Sequence, residues 1–235
     1  MSAAGDRILT NEYGDYPLLE FRMPAAGHEI VVCGEAINIT TDDEMEFFDG
    51  LRYTVPFAAA LWPGAIGLAE QLAELAEEFA DRYVLELGAG IGLPGIVAAA
   101  LGARVVQTDH KVVSAELAQR NAELNGIGNI EYRLSAWTSW HNRDRYDWII
   151  GSDILYYDDM HPFLMEILDR NLAPDGRVLL ADPYRPPALS FLDRVLAEGW
   201  QVTTFQRTIR LDDRTRDVGI FLLEKSPLPS VSNED

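Results

Sequence analysis

The stretch YVLELGAGIGLPG (83–95) decides the fold. Apolar strand residues, interrupted only by Glu86, run straight into Gly88, Gly90 and Gly92, and an apolar helix, LPGIVAAAL (93–101), follows and stops at Gly102. Glycine has no Cβ, so a loop built on it turns tightly and lets a ligand approach the backbone. Working outward, the same alternation repeats. RVVQTD (104–109) reads as a strand, and Val112 to Asn125 as a helix with Val113, Leu117 and Leu124 on one face, closed by Gly126. NIEYRL (129–134), YDWIIG (146–151), GRVLLA (176–181), WQVTTF (200–205) and VGIFLLE (218–224) are further strands, with helices around 159–171 and 187–198. Upstream, Pro63 suits a helix start, and Ile66, Leu68, Leu72, Leu75 and Phe79 give Ala65 to Phe79 a helical apolar face.

Near-continuously apolar strands separated by helices predict a Rossmann-like, doubly wound α/β fold: a mostly parallel seven-stranded sheet covered on both faces. Ligands of such sheets sit beyond the strands' carboxyl ends, where strand order reverses. The expected rim is therefore the residues after Leu87, Asp109, Leu134, Gly151 and Ala181. The expected domains are an N-terminal extension (1–50), one ligand-binding domain (51–225) and a flexible tail, SPLPSVSNED (226–235). Within the extension the start to about Arg22 reads as irregular, and HEIVVCG (28–34) and AINIT (36–40) as a β-hairpin about Gly34–Glu35.

Composition narrows the partners. The chain has 235 residues, 48% of them hydrophobic, enough for a sizeable core. Its net charge of −19 opposes binding to nucleic acid or to an anionic membrane. One cysteine, Cys33, allows neither an intrachain disulfide nor a paired-cysteine zinc site, and the 4 histidines are scattered, so no metal site is expected. No stretch reaches the roughly 18 apolar residues of a membrane helix. MSAAGDRILTNEYGDYP lacks a basic flank followed by an apolar run, so no signal peptide is expected and the predicted compartment is the cytoplasm.

The loop's chemistry points to a particular ligand. Its spacing is G-x-G-x-G, not the G-x-G-x-x-G that lays a pyrophosphate on a helix N-terminus. Glu86 stands two residues before Gly88, where a carboxylate would repel phosphate and favour a cationic amino group. Asp109 ends the next strand, where a carboxylate can accept both hydroxyls of a ribose, and, standing directly ahead of HKVV, it can also be a helix N-cap. Ribose plus ammonium without phosphate fits S-adenosylmethionine better than a dinucleotide.

At these residues the chain resembles the class I, seven-strand methyltransferases: VLELGAGIGLPG with QTDH is similar to their motif I and its following acid. ALWPGAIGLAEQL (60–72), SAW (135–137) and DWIIGSDILYY (147–157) extend the resemblance to the family-16 protein lysine methyltransferases and their bacterial relatives, over most of 52–185. The resemblance implies S-adenosyl-L-methionine as cofactor and S-adenosyl-L-homocysteine as product. It further implies that Trp62 closes over the cofactor, that Glu86, Gly88, Ala89, Gly90 and Gly92 form its cradle, and that Asp109 takes the ribose. Trp137 would lie beside the adenine and Ser152 near the cofactor, while Asp153 and Tyr156 reproduce the D-x-x-Y of the substrate side. Ala136 departs from relatives that often carry a polar residue there.

The implied reaction is N-methylation of a lysine in a basic context of a protein. Neutralising a lysine at pH 7 costs about 4–5 kcal/mol from a reference pKa near 10.4. Asp153 favours the ammonium, which assigns it to capture and orientation more than to general base catalysis. An acidic mouth of Asp158, Asp159 and Asp182, with Asp42 and Asp43, would attract a cationic segment. Alternatives are a small amine of nicotinamide-like or other type, or a non-catalytic binding module on the same fold. Glu86 and the glycine spacing oppose a nicotinamide dehydrogenase, and SDILYY in place of an N/D-P-P-Y/F element disfavours base methylation.

Overall fold

The computed structural model describes residues 8–11, 14–25, 27–36, 57–211 and 214–225. The remainder of AINIT after Ala36, the acids Asp42 and Asp43 and the tail 226–235 lie outside the described residues. Strands β1 (Ile8–Asn11) and β2 (Gly14–Pro17) pair antiparallel. β3 (Leu19–Ala25) and β4 (His28–Ala36) form an antiparallel hairpin, and β5 (Ala60–Leu61) joins β4 in parallel. The alternating part follows: α1 (Pro63–Glu74), β6 (Tyr83–Leu87), α2 (Leu93–Ala100), β7 (Arg104–Asp109), α3 (Val112–Leu124) and β8 (Ile130–Leu134). Then come β9 (Tyr146–Ser152), α4 (His161–Asn171), β10 (Leu172–Asp182), α5 (Pro186–Ala197), β11 (Trp200–Leu211) and β12 (Arg214–Lys225).

The main sheet has seven strands in the order β11-β12-β10-β9-β6-β7-β8. β8, β7, β6, β9 and β10 run parallel, whereas β12 is antiparallel to both β10 and β11. The Rossmann-like reading therefore holds. The chain lays β6, β7 and β8 outward in one direction, then crosses back to place β9 on the other side of β6, so the reversal lies between β6 and β9. Both sheet faces are buried, and the strands' side-chain alternation divides the core between them. Val84, Ile150 and Leu179 pack with Leu68, Leu72, Ile96 and Leu117 on the side of α1–α3. Leu85, Ile149 and Leu180 pack with Leu164, Leu168, Phe191 and Val195 on the side of α4 and α5.

Four local expectations differ. The hairpin does not turn at Gly34–Glu35: β4 runs through both residues, and the reversal falls between β3 and β4, where Gly27 adopts φ 83°. The opening stretch to Arg22 contains strands, because β3 finds a partner in β4. The helix after Pro63 ends at Glu74, followed by a 3-10 turn at Ala76–Glu78, while Phe79 still stacks on Trp148 with ring centroids 4.9 Å apart. β11 and β12 are longer than expected since they pair with each other from Trp200↔Lys225 to Leu211↔Arg214.

The N-terminal hairpin is fastened by two amides one helical turn apart, Asn121 within α3 and Asn125 at its C-cap. Asn121 Oδ1 accepts the Cys33 N–H at 2.8 Å, and its Nδ2 donates to the carbonyls of Cys33 at 3.0 Å and Ile91 at 2.9 Å. Asn125 repeats the pattern on Val31, accepting its N–H at 2.8 Å and donating to its carbonyl at 2.7 Å. A strand edge thus finds amide partners on a helix, and through Ile91 the same anchor reaches the loop after β6.

Candidate active site

The loop that leaves β6 is left-handed at Gly88 (φ 65°), Gly90 (φ 52°) and Gly92 (φ 86°). Two of these positions also lack room. A Cβ at Gly88 would stand 2.7 Å from Ile154 Cγ2, and one at Gly92 would stand 2.8 Å from Ala118 Cβ. Gly88 borders the crevice, with the Trp137 ring 4.0 Å from the same point, while Gly92 faces α3 and Gln107. Between them Ala89 ties the loop down, its N–H donating to the Thr108 carbonyl at 3.0 Å and its carbonyl accepting from Gly92 at 2.8 Å.

Asp109, at the carboxyl end of β7, is oriented by backbone amides. Its Oδ2 accepts the Gly90 N–H at 3.1 Å and its Oδ1 accepts the Lys111 N–H at 2.9 Å. The sequence offered two uses for this acid, helix capping and ribose binding; the N-cap position of α3 is Lys111, without a side-chain cap bond, so Asp109 closes the turn ahead of the helix instead. A carboxylate has about four acceptor directions, so two amides leave capacity for a vicinal diol.

Glu86 lies elsewhere than the sequence reading implied. It is 1% exposed beneath the loop, where its Oε2 accepts from Gln107 Nε2 at 2.6 Å. A Cβ on Gly95 would fall 2.3 Å from the same oxygen, so α2 packs directly on the carboxyl. Burial pushes the group up to about 8; donation from Gln107 and the Gly95 N–H opposes this and the Asp109 charge adds to it. At neutral pH the site beneath the loop is thus mostly uncharged, and Glu86 braces the turn from behind.

This raised value carries a stability prediction. Between pH 4.5 and 8 the folded chain keeps a proton that the unfolded chain releases, so this group makes stability fall as pH rises through that window. The decline is about 1.4 kcal/mol per pH unit at most. Glu86→Gln removes the titration, and its amide supplies a donor near Gln107 Oε1, which has no hydrogen-bond partner among the described residues. Urea unfolding at pH 5, 7 and 9 should show the variant gaining on the parent as pH rises; parallel curves would refute the assignment.

Across the crevice stand the residues after β9. Ser152 pairs with Ala181 at the sheet's end, and Asp153 follows at φ 56° with its N–H donating to the Ala181 carbonyl at 2.8 Å. Asp153 does not stand alone. Its Oδ1 accepts Arg185 Nη1 at 2.8 Å, and the same nitrogen donates to Asp182 Oδ2 at 2.8 Å. These side chains are 5%, 8% and 0% exposed for Asp153, Arg185 and Asp182 respectively. Trp62, the N-cap residue of α1, turns its ring toward the guanidinium, 5.8 Å from Cζ to centroid. Burial, with Asp153 adding, raises Asp182 to about 6 against the pull of Arg185. Tyr156 is half-buried; burial raises its hydroxyl above the usual range, with Tyr157 and Asp109 adding and Arg185 opposing. Tyr156 therefore feels both the acid of β7 and the guanidinium behind Asp153.

The structure thus gathers Trp62, Gly88, Ala89, Gly90, Asp109, Trp137, Ser152, Asp153 and Tyr156 about the ends of β6, β7 and β9, and sets Glu86 and Gly92 behind the loop. Sequence reasoning placed Asp182 only among the rim acids and assigned nothing to Arg185. The available signal was DPYRPP (182–187), directly after a rim strand.

The model of the lysine methyltransferase family matches residues 42–195. EEF1A lysine methyltransferase 3 of Mus musculus is 31% identical over 182 residues, covering 74% of this chain and 74% of that protein. Protein N-lysine methyltransferase METTL21A of Mus musculus is 35% identical over 131 residues, 53% of this chain and 60% of that one. Among solved structures, N-methyltransferase NodS from Bradyrhizobium japonicum, in complex with S-adenosylhomocysteine, shares the fold at TM-score 0.58 and 15% identity, covering 78% of this chain and 98% of its own. With the family's model matched across the glycine loop, Asp109 and Asp153, the chain belongs to the lysine methyltransferase family and is an S-adenosylmethionine-dependent enzyme.

Proposed function

We propose that this chain methylates a lysine side chain lying in a basic context of a protein, with Asp153 and Tyr156 at the amine and the loop after β6 at the cofactor. The observation that carries the reading is the pairing of an amide-clamped Asp109 beside a side-chain-free bend with an acidic cluster across the crevice. The residues fit the cofactor. The bend at Gly88 leaves no room for a Cβ, and Asp109 retains acceptor capacity for ribose hydroxyls. Ala89 and Gly90 would line the cofactor, Trp137 would flank its adenine, and Trp62 and Ser152 would close around it. Glu86 and Gly92 would hold the bend from behind.

S-adenosylmethionine, when bound, supplies an electrophilic methyl group carried on a sulfonium. The chain's own task is alignment and charge. Asp153, its Oδ1 held by Arg185, attracts and orients the ammonium, and the proton leaves to solvent before attack. Tyr156 keeps its proton at neutral pH and offers a hydrogen bond from the channel wall. The exposed acids Asp158 and Asp159 and the net charge of −19 favour a cationic segment and repel nucleic acid. Among the described residues no helix is long and apolar enough to cross a membrane. We place the reaction in the cytoplasm.

Incubation with S-adenosylmethionine labelled in its methyl group, against a dialysed lysate and separately its small-molecule fraction, tests this. Label in a protein band, recovered as methyl-lysine after hydrolysis, is expected. Label confined to small amines would overturn the protein substrate.

A further inference from the structure

Asn121, on the buried side of α3, bonds two elements at once. Its Oδ1 accepts the Cys33 N–H at 2.8 Å, one Nδ2 hydrogen goes to the Cys33 carbonyl at 3.0 Å, and the other goes to the Ile91 carbonyl at 2.9 Å. Both donors are engaged on a residue that is 0% exposed, and the amide is planar, so β4 and Ile91 are held in one relation. Ile91 stands between Gly90, whose N–H binds Asp109, and Gly92. Its side chain rests on the same strand: a Cβ on Gly34 would come within 3.0 Å of Ile91 Cδ1. Further along, β4 pairs Glu35 with Ala60 and Ala36 with Leu61, one residue short of Trp62. One strand of the N-terminal hairpin thus abuts the glycine bend on one side and leads to Trp62 on the other. Asn125 grips Val31 with the same two bonds, but its remaining donor goes to the Asn121 carbonyl at 2.7 Å. It fastens the hairpin and has no donor left for the bend.

Resting on the reading that puts the loop after β6 at the cofactor, we propose that Asn121 is a positioning residue for that loop, and that through it the seating of β4 and the binding of cofactor reinforce each other. With β4 seated, the amide is framed by Cys33 and holds the Ile91 carbonyl, so the bend keeps its shape. With β4 lifted, the amide loses that frame and the bend is released. Linkage makes the effect mutual: a ligand that prefers the held bend also holds β4 down.

Cys33, 4% exposed and the one cysteine of the chain, reports the lifting of β4. The full chain is treated with an aromatic disulfide reagent whose absorbance follows thiol modification, with and without saturating S-adenosylhomocysteine. A buried thiol reacts when the structure around it opens. In the parent the ligand should slow modification roughly tenfold, within the usual range of coupling between sites. Asn125→Ala should react faster than the parent, keep that slowing and bind S-adenosylhomocysteine normally. Asn121→Ala should also react faster, yet be slowed less than about threefold and bind the ligand roughly tenfold more weakly. Its KM for S-adenosylmethionine should rise with kcat nearly unchanged, whereas a purely structural amide would make the two variants behave alike. Should Asn121→Ala fail to fold, hydrogen exchange of the parent decides: S-adenosylhomocysteine should slow exchange over His28–Ala36 and leave 200–206, at the sheet's far edge, unchanged. Cys33 modification in the parent that ignores the ligand, equal slowing in parent and Asn121→Ala, or unchanged exchange over His28–Ala36 would each overturn the inference. A ligand that binds the parent, weakens with Asp109→Ala and leaves Cys33 unaffected sinks this inference alone. One that binds Asp109→Ala as well as the parent removes the reading on which it rests.

Discussion

Asp109→Ala is expected to weaken S-adenosylhomocysteine binding by a hundred- to a thousandfold. The carboxylate is set up as an acceptor before any ligand arrives, its two oxygens oriented by the amides of Gly90 and Lys111. Hydrogen bonds to a charged group contribute about 1.5–3 kcal/mol each, and two ribose hydroxyls bring the total to about 3–4 kcal/mol after partial replacement by water. The substitution also releases the Gly90 amide, loosening the bend that approaches the ligand. Asp109→Asn keeps one acceptor oxygen and should lie between the two. Calorimetric titration measures the change, and circular dichroism separates it from unfolding. An unaltered affinity in Asp109→Ala would remove this acid from the cofactor site.

Asp153→Ala is expected to lower methyl transfer by a hundred- to ten-thousandfold, the range of a lost positioning or proton-handling group, with S-adenosylhomocysteine affinity within about twofold. The fold should survive, because Arg185 keeps Asp182 at 2.8 Å. The backbone adds one complication: at φ 56° alanine is strained, whereas asparagine tolerates this region. Asp153→Asn therefore removes the charge without the strain, and it should lose turnover just as deeply. Rates in labelled-cofactor assays, paired with binding, decide the matter. Turnover retained in both variants would move the amine-binding role to another acid.

How much of this was readable in advance depended on how local each feature was. The alternation of apolar strands and helices, the glycine bend and the acids at strand ends sit on short stretches of chain, and all reappear, though β10, β11 and β12 run longer than expected and the helix after Pro63 ends earlier. The hairpin turn was misplaced because Gly34 reads as a breaker, yet β4 continues through it: its glycine lies where a Cβ would meet Ile91 Cδ1 at 3.0 Å and the Ala59 carbonyl at 3.1 Å. That glycine marks close packing, which composition alone cannot distinguish from a turn.

By itself the sequence determined the strand order's raw material, the side-chain-free bend and which carboxylates end which strands, since periodicity and strand ends are properties of neighbouring residues. Only tertiary structure decided their state. Glu86 became a brace that holds its proton, Asp153 acquired Arg185 from 32 positions away, and Asn121 met Cys33 across 88. Desolvation and pairing depend on what the fold brings within a few ångströms, and residue type carries no record of it.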